Sequence, residues 1–294
     1  MKTGIIGLGA MGMGMAANFH KQGNLHLVWN RTRYKAVEFA DKTGIAIAES
    51  PAKLASECDL IVTSLSRDGD VIEIVQQVAE GIKPRAVVAD TSTVSADTAK
   101  TAAGFLKNKN AYFLDCPVSG GVEGARNGRL VMMVGGDSAV LDKIRDTLSA
   151  IAINVSHIGP VGSGQACKAV NQLMAAGINQ AVTEALAFGQ AMGLDMNKVV
   201  DIISGGAAGN WFLEHRGKTM LAGKYDPGFK LALHYKDLRI CQDMVKSLSD
   251  DSLPMIEMTL IHYQRLMDEG FADEDISALF RLKKRLFENP DNKS

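Results

Sequence analysis

The chain predicts an α/β fold: a Rossmann-type doubly wound parallel sheet followed by an all-α C-terminal domain. Three features carry that expectation. A short apolar strand runs straight into a glycine-rich turn and a helix at the start of the chain. Strand-like and helix-like segments then alternate as far as Ile158. From residue 163 onward the periodicity is helical, with no convincing strand. The domain boundary is therefore expected near residue 160, giving domains 1–160 and 161–294.

The first strand covers Lys2 to Leu8 and enters Gly7-Leu8-Gly9-Ala10-Met11-Gly12, a G-x-G-x-x-G, with a helical pattern from Met11 to Gln22 behind it. In such a turn the first glycine makes the bend, the second lets backbone approach a pyrophosphate, and the third lets helix and strand pack closely. The helix N-terminus then favours the phosphate charge. A second strand, Leu25 to Trp29, completes the dinucleotide-binding unit. At its end an NAD enzyme usually carries an acid for the ribose hydroxyls. Here the chain reads Trp29-Asn30-Arg31-Thr32-Arg33-Tyr34-Lys35 instead. Asn30, Arg31 and Thr32 suit the 2′-phosphate of NADP(H), through a charged fork and a hydroxyl, with NAD(H) as the alternative. A solvated helix start is the plain reading of the same cluster.

Further strand expectations are Leu60 to Leu65, after a helix Ser50 to Cys58; Ala86 to Ala89; Tyr112 to Asp115; Leu130 to Val134; and Ile153 to Ile158. In a parallel sheet ligands lie beyond the carboxyl ends of the strands. Leu65, with Ser66 to Asp68, Thr91 to Thr93, and Ser119 to Gly121 then face one crevice. Thr93 is a contact for cofactor or substrate, or the N-cap of a helix Ala96 to Leu106. The Ser119-Gly120-Gly121 turn offers consecutive N–H groups to one carboxylate, or is simply a hairpin loop.

Gly162 to Gly193 reads as one long helix, free of proline and interrupted by too many polar residues to span a membrane. Lys168 and Asn171 lie three apart and share a side near its start. That position suits a lysine held in a cleft between two lobes, against the ordinary reading of a lysine snorkelling at a helix end. Beyond it, Asn210 and Trp211 in Gly205 to Phe212 form either a variable substrate wall or an interhelical loop. The tail 289–294 is polar and expected to fray.

Composition removes several function classes. The 294 residues are 46% hydrophobic and 22% charged with a net charge of −1, which gives no electrostatic case for nucleic acid or an anionic membrane surface. Cys58, Cys116, Cys167 and Cys241 are widely spaced with no paired motif, as expected of reduced thiols rather than a zinc site. An apolar run that begins almost at Met1 and belongs to the fold leaves no secretory leader, so a cytoplasmic location is expected.

These residues resemble the β-hydroxyacid dehydrogenase family, which includes 3-hydroxyisobutyrate dehydrogenase, tartronate semialdehyde reductase and the glyoxylate/succinic semialdehyde reductases. The resemblance extends over nearly the whole chain and rests on four motifs in the family's order: GLGAMGMGMAANF from Gly7, DCPVSGGVEGARNGRL from Asp115, GSGQACKAVNQ from Gly162 and FKLALHYKDL from Phe229. It implies that Lys168 is the catalytic residue supported by Asn171, and that Ser119 and Gly120 hold the substrate carboxylate. It also implies that Phe229, Lys236 and Asp237 close the site from the helical domain, with Lys236 also reaching the cofactor. The implied substrate is a small carboxylated aldehyde or hydroxy acid, and the implied assembly is a homodimer or homotetramer. Hydride chemistry belongs to the cofactor, leaving the protein to orient the substrate and manage one proton. As a base in oxidation, Lys168 needs a pKa depressed from about 10.4. Imine reductases share the architecture but typically lack a lysine here; phosphogluconate dehydrogenases are longer. A non-catalytic dinucleotide-binding module would have no use for the set Ser119, Lys168 and Asn171.

Overall fold

A computed structural model describes residues 1–288, so the expectation for the tail 289–294 lies outside the described residues. The chain forms two compact units, Met1–Lys168 and a second beginning at Ala169.

The first unit alternates strands and helices: β1 (Thr3–Ile6), α1 (Ala10–Lys21), β2 (Leu25–Trp29), α2 (Arg33–Thr43), β3 (Ala46–Ile47), α3 (Pro51–Glu57), β4 (Leu60–Thr63), α4 (Asp68–Gly81), β5 (Val87–Asp90), α5 (Ala96–Lys107), β6 (Tyr112–Asp115), β7 (Val118–Ser119), α6 (Gly121–Asn127), β8 (Leu130–Gly135), α7 (Ser138–Leu148) and β9 (Ala152–Gly159). The strand order is β3-β2-β1-β4-β5-β6-β8-β7, with β9 on β8. Successive residues of a strand point to opposite faces, and each face here has its own core. Ile5, Val28, Val62, Ala89 and Leu114 pack with Met15, Phe19 and Leu141 on one side. Ile6, Leu27, Ile61, Val88 and Phe113 pack with Leu54, Val75 and Leu106 on the other. This two-sided burial is why the strands read as continuous apolar runs rather than alternating ones.

Two local expectations are corrected. The sheet is parallel from β3 to β6, but β8 runs antiparallel to both β6 and β7. The seven-residue α6 is too short for the full return that a parallel crossover requires, so the chain comes back reversed. The Ser119–Gly121 turn opens the α6-containing connection of this antiparallel β7–β8 pair, with Gly120 at φ 125° and Gly121 at φ 62°. The N-cap of α5 is Ser95, whose hydroxyl accepts from the Thr98 N–H, and not Thr93, because the helix starts at Ala96 and the cap must directly precede it. The two-residue strands β3 and β7 are too short to leave a period in the sequence.

Helix α8 (Ser163–Ala191) spans 29 residues and runs from the first unit into the second. The second unit continues with α9 (Met196–Ser204), α10 (Trp211–Leu221), α11 (Leu231–Lys246), α12 (Pro254–Asp268), a 3-10 turn Ile276–Ala278 and α13 (Leu279–Arg285). Its core collects Leu186, Val200, Leu213, Leu238, Tyr263 and Phe280, one apolar face from each helix. Asn210 caps α10 by accepting from the Leu213 N–H at 2.9 Å, and Trp211 is exposed and stacked on His215.

Candidate active site

The glycine-rich turn between β1 and α1 meets the steric demands that its sequence implies. Gly7 holds φ 97°, and a Cβ there would strike the Ser64 carbonyl; a Cβ on Gly12 would strike the Gly7 carbonyl. A Cβ on Gly9 would meet nothing within 4 Å, which leaves open space at the amino end of α1. That helix end has no side-chain cap and no acid in its first turn, so its free N–H groups and dipole face the space uncompensated. The donor set fits a pyrophosphate. Asn30 pins the turn to the end of β2: its Oδ1 accepts from the Leu8 N–H at 2.7 Å, and its amide donates to the Thr32 carbonyl at 2.8 Å. Arg31 is exposed, and its guanidinium pairs with Asp70 at 2.8 Å.

Across the carboxyl ends of β4 and β5 the backbone is tied together by short side chains. The Leu65 N–H donates to Ser92 Oγ at 2.8 Å, and Ser92 Oγ donates to Asp90 Oδ1 at 2.6 Å. Thr63 Oγ1 donates to the same oxygen at 2.7 Å, while Asp90 Oδ2 is buried without a partner. Burial therefore outweighs these hydrogen bonds and pushes the Asp90 carboxyl up to about 6. Asp68, expected beside the crevice, instead accepts from the Ser95 N–H and the Thr98 hydroxyl and so braces α5.

Lys168 is buried at 7% exposure, and its Nζ donates to the Val118 carbonyl at 2.8 Å. The first unit thus brings the lysine to the segment that continues into Ser119, Gly120 and Gly121. A lysine so deeply buried is no snorkelling surface residue. Gln165, one turn earlier, donates to the Ser92 carbonyl at 2.9 Å and accepts from the Val94 N–H at 3.2 Å, which anchors α8 to the segment bearing Thr93.

The remaining expected residues lie in the second unit. Asn171 donates to Gln172 Oε1 at 2.9 Å, Gln172 donates to Asp237 Oδ2 at 2.6 Å, and Asp237 Oδ1 pairs with Lys236 at 2.9 Å. Phe229 packs against His234 at 5.2 Å between ring centroids. Gln172 was missed in the sequence, as were the strand-end aspartates Asp90 and Asp115. The aspartates had a signal: each ends a strand just before a ligand-facing turn. Gln172 had none, because its partner is 65 residues away.

Among the described residues no cluster of three His, Cys, Asp or Glu side chains has metal-binding geometry, and no helix is long and apolar enough to cross a membrane. Residues 2–159 match the family model for the NAD binding domain of 6-phosphogluconate dehydrogenase. Residues 162–283 match the model described as NAD-binding of NADP-dependent 3-hydroxyisobutyrate dehydrogenase. The chain is 38% identical over 287 residues to an uncharacterized oxidoreductase of Shewanella frigidimarina, covering 96% of this chain and 98% of that one. It is 34% identical over 254 residues to the 2-hydroxy-3-oxopropionate reductase of Escherichia coli, covering 85% and 86%. The crystal structure of 3-hydroxyisobutyrate dehydrogenase from Salmonella typhimurium superposes with a TM-score of 0.83 at 28% identity, over 96% of this chain and 99% of that one.

Proposed function

Because the chain belongs to the β-hydroxyacid dehydrogenase family, NAD(P)-dependent oxidoreductases that act on the CH–OH group of small hydroxy acids, we propose that it interconverts a short carboxylated semialdehyde and its hydroxy acid with NADP(H), most readily in the reducing direction. Succinic semialdehyde and glyoxylate are the first substrates to try; methylmalonate and tartronate semialdehyde follow. The observation that carries the reading is Lys168, buried in the same unit as the glycine-rich turn and hydrogen-bonded to the segment that opens the Ser119–Gly121 turn.

The nicotinamide, when bound, supplies the hydride. Gly7, Leu8, Gly9, Ala10, Met11 and Gly12 would take its pyrophosphate, with Leu65, Ser66 and Thr93 nearer the reactive end. The N–H groups at Ser119, Gly120 and Gly121 orient the substrate carboxylate. Lys168 Nζ donates a proton to the carbonyl oxygen in reduction and receives one from the hydroxyl in oxidation. For Asn171, Phe229, Lys236 and Asp237, the family motif supports a share in substrate and cofactor binding. A homodimer or homotetramer in the cytoplasm completes the reading.

Arg31 and Thr32 in place of an acid support NADP(H) as the preferred cofactor. The Arg31–Asp70 pair favours the alternative, an NAD-dependent 3-hydroxyisobutyrate or tartronate semialdehyde enzyme, since a 2′-phosphate must share or displace that carboxylate. An exposed pair of this kind contributes little, so a dianionic phosphate is expected to win. The test is a nicotinamide absorbance screen of short carboxylated aldehydes and 3-hydroxy acids against NADPH and NADH. Turnover of at least one, faster with NADPH, is expected. No turnover of any panel member with either cofactor removes the reading, and equal use of both cofactors removes its NADP part.

A further inference from the structure

The opening turn of α8 is built on a carboxylate. Asp115, the last residue of β6, is fully buried. Its Oδ1 accepts from the Gly162 N–H at 2.8 Å and its Oδ2 from the Gln165 N–H at 2.9 Å, so both oxygens take backbone donors at one helix start. Such charge-assisted bonds at a helix amino end are among the stronger ones a backbone makes. The approach is close: a Cβ on Gly164 would collide with the carbonyls of Met133 and Asp115. Three residues beyond Asp115, the Val118 carbonyl accepts from Lys168 Nζ at 2.8 Å. One segment, Asp115 to Ser119, therefore grips the same helix twice, at its first turn and at its lysine, just where the segment becomes the Ser119–Gly121 turn.

We propose that Asp115 is the positioning residue for Lys168, fixing the register of the first turn of α8 so that the ammonium stays against the Ser119–Gly121 turn. The proposal rests on the proton-transfer role given to Lys168 above. Its physical basis is directional. A carboxylate holding two N–H groups fixes both the rotation and the axial position of the turn, and Lys168 lies less than one turn beyond Gln165. An isosteric amide at position 115 offers only one accepting oxygen, and its own N–H₂ faces a backbone donor, so one buried N–H loses its partner and the turn is free to shift. A misplacement of about 1 Å in a reacting group can cost roughly 100-fold in rate.

The experiment is a double-mutant cycle of Asp115→Asn and Lys168→Ala in the full chain, with NADPH and either succinic semialdehyde or glyoxylate as the probe, plus NADPH titration by fluorescence. Asp115→Ser, which keeps one capping oxygen, serves if the amide variant folds poorly. Asp115→Asn is expected to lower kcat by roughly 10- to 100-fold, with the substrate KM and NADPH affinity nearly unchanged. In the Lys168→Ala background the same substitution should cost little further. A merely structural Asp115 would cost the same factor in both backgrounds, or would lower NADPH affinity in parallel, and either result overturns the proposal. So does full kcat in a folded Asp115→Asn protein. Failure of the Lys168 reading is separately visible, as a Lys168→Ala single variant that keeps its turnover.

Discussion

In the proposed reaction Lys168 is the residue on which the chemistry turns, and its burial makes its substitution informative. General acid–base catalysis by a positioned group contributes roughly 10²- to 10⁴-fold, so Lys168→Ala should lose about that factor in kcat while binding NADPH normally. Lys168→Arg should rescue little, because a planar guanidinium gives up its proton far less readily. Steady-state turnover and a cofactor titration on the same folded protein decide it; more than about a tenth of wild-type kcat in Lys168→Ala takes the lysine out of proton transfer. Arg31 is the second diagnostic residue. A hydrogen bond to a charged group contributes about 1.5–3 kcal/mol, so Arg31→Ala should weaken NADPH on the order of 10- to 100-fold and leave NADH alone. Asp70→Asn, which releases the guanidinium, should move NADPH affinity the other way. Equal weakening of both cofactors in Arg31→Ala would mean that the arginine serves the loop, not the phosphate.

Among the elements, the start of α8 and the turn after β7 carry the tightest tolerances. Gly164→Ala puts a methyl group against two backbone carbonyls that have no room to retreat, so the helix must lift from β6 and β8. The expected result is a destabilisation of about 1–3 kcal/mol, read from urea midpoints, together with a fall in kcat larger than the change in NADPH affinity. An unchanged kcat would show that the helix start tolerates displacement. At Gly120 the backbone sits at φ 125°, and a Cβ there would press on Leu130. Gly120→Val should therefore raise the substrate KM and also lower stability, with NADPH affinity the measurement that separates the carboxylate turn from the cofactor loop. Burial pushes the Cys58 thiol up to about 12 and the Cys116 thiol well above its ordinary value, so neither ionises near neutrality.

For the molecule as a whole, the buried aspartate at the end of β5 is expected to couple folding to pH. Asp90 has its carboxyl pushed up from 3.8 to about 6 by burial, with one oxygen unpartnered. Between those values the folded chain holds a proton that the unfolded chain has released, so this group's contribution to stability is greatest below the lower value and lost as pH rises through the upper one. The difference in unfolding free energy between wild type and Asp90→Asn should consequently change by a few kcal/mol between pH 4 and pH 7 and level off above it. Denaturant titrations of both proteins across that range read the difference directly. A pH-independent difference would mean that the carboxyl ionises normally despite its burial.

The local code was legible because it is local. The G-x-G-x-x-G after an apolar strand, the absence of an acid after Trp29 and the long proline-free helix from Gly162 each depend on residues within a few positions of one another, where propensity and sterics act without tertiary help. The two-sided sheet was legible as well, since alternating strands and helices put helices on both faces of a sheet. The reversal of β8 and the two-residue strands β3 and β7 were not, because a short helix and a short strand leave no period to read, and the Ser95 cap was not, because periodicity marks the body of a helix better than its first residue. Above all, the partners of the site belong to distance. Asp115 meets the N–H groups of Gly162 and Gln165, Lys168 meets the Val118 carbonyl, and Gln172 meets Asp237 across 47 to 65 residues of chain. Those pairings exist because burial leaves a carboxylate, an ammonium or an amide no water to turn to, so each must find a protein partner wherever the fold has brought one. The sequence determined which chemistries were present; only the packing of the chain decided which groups hold one another in place.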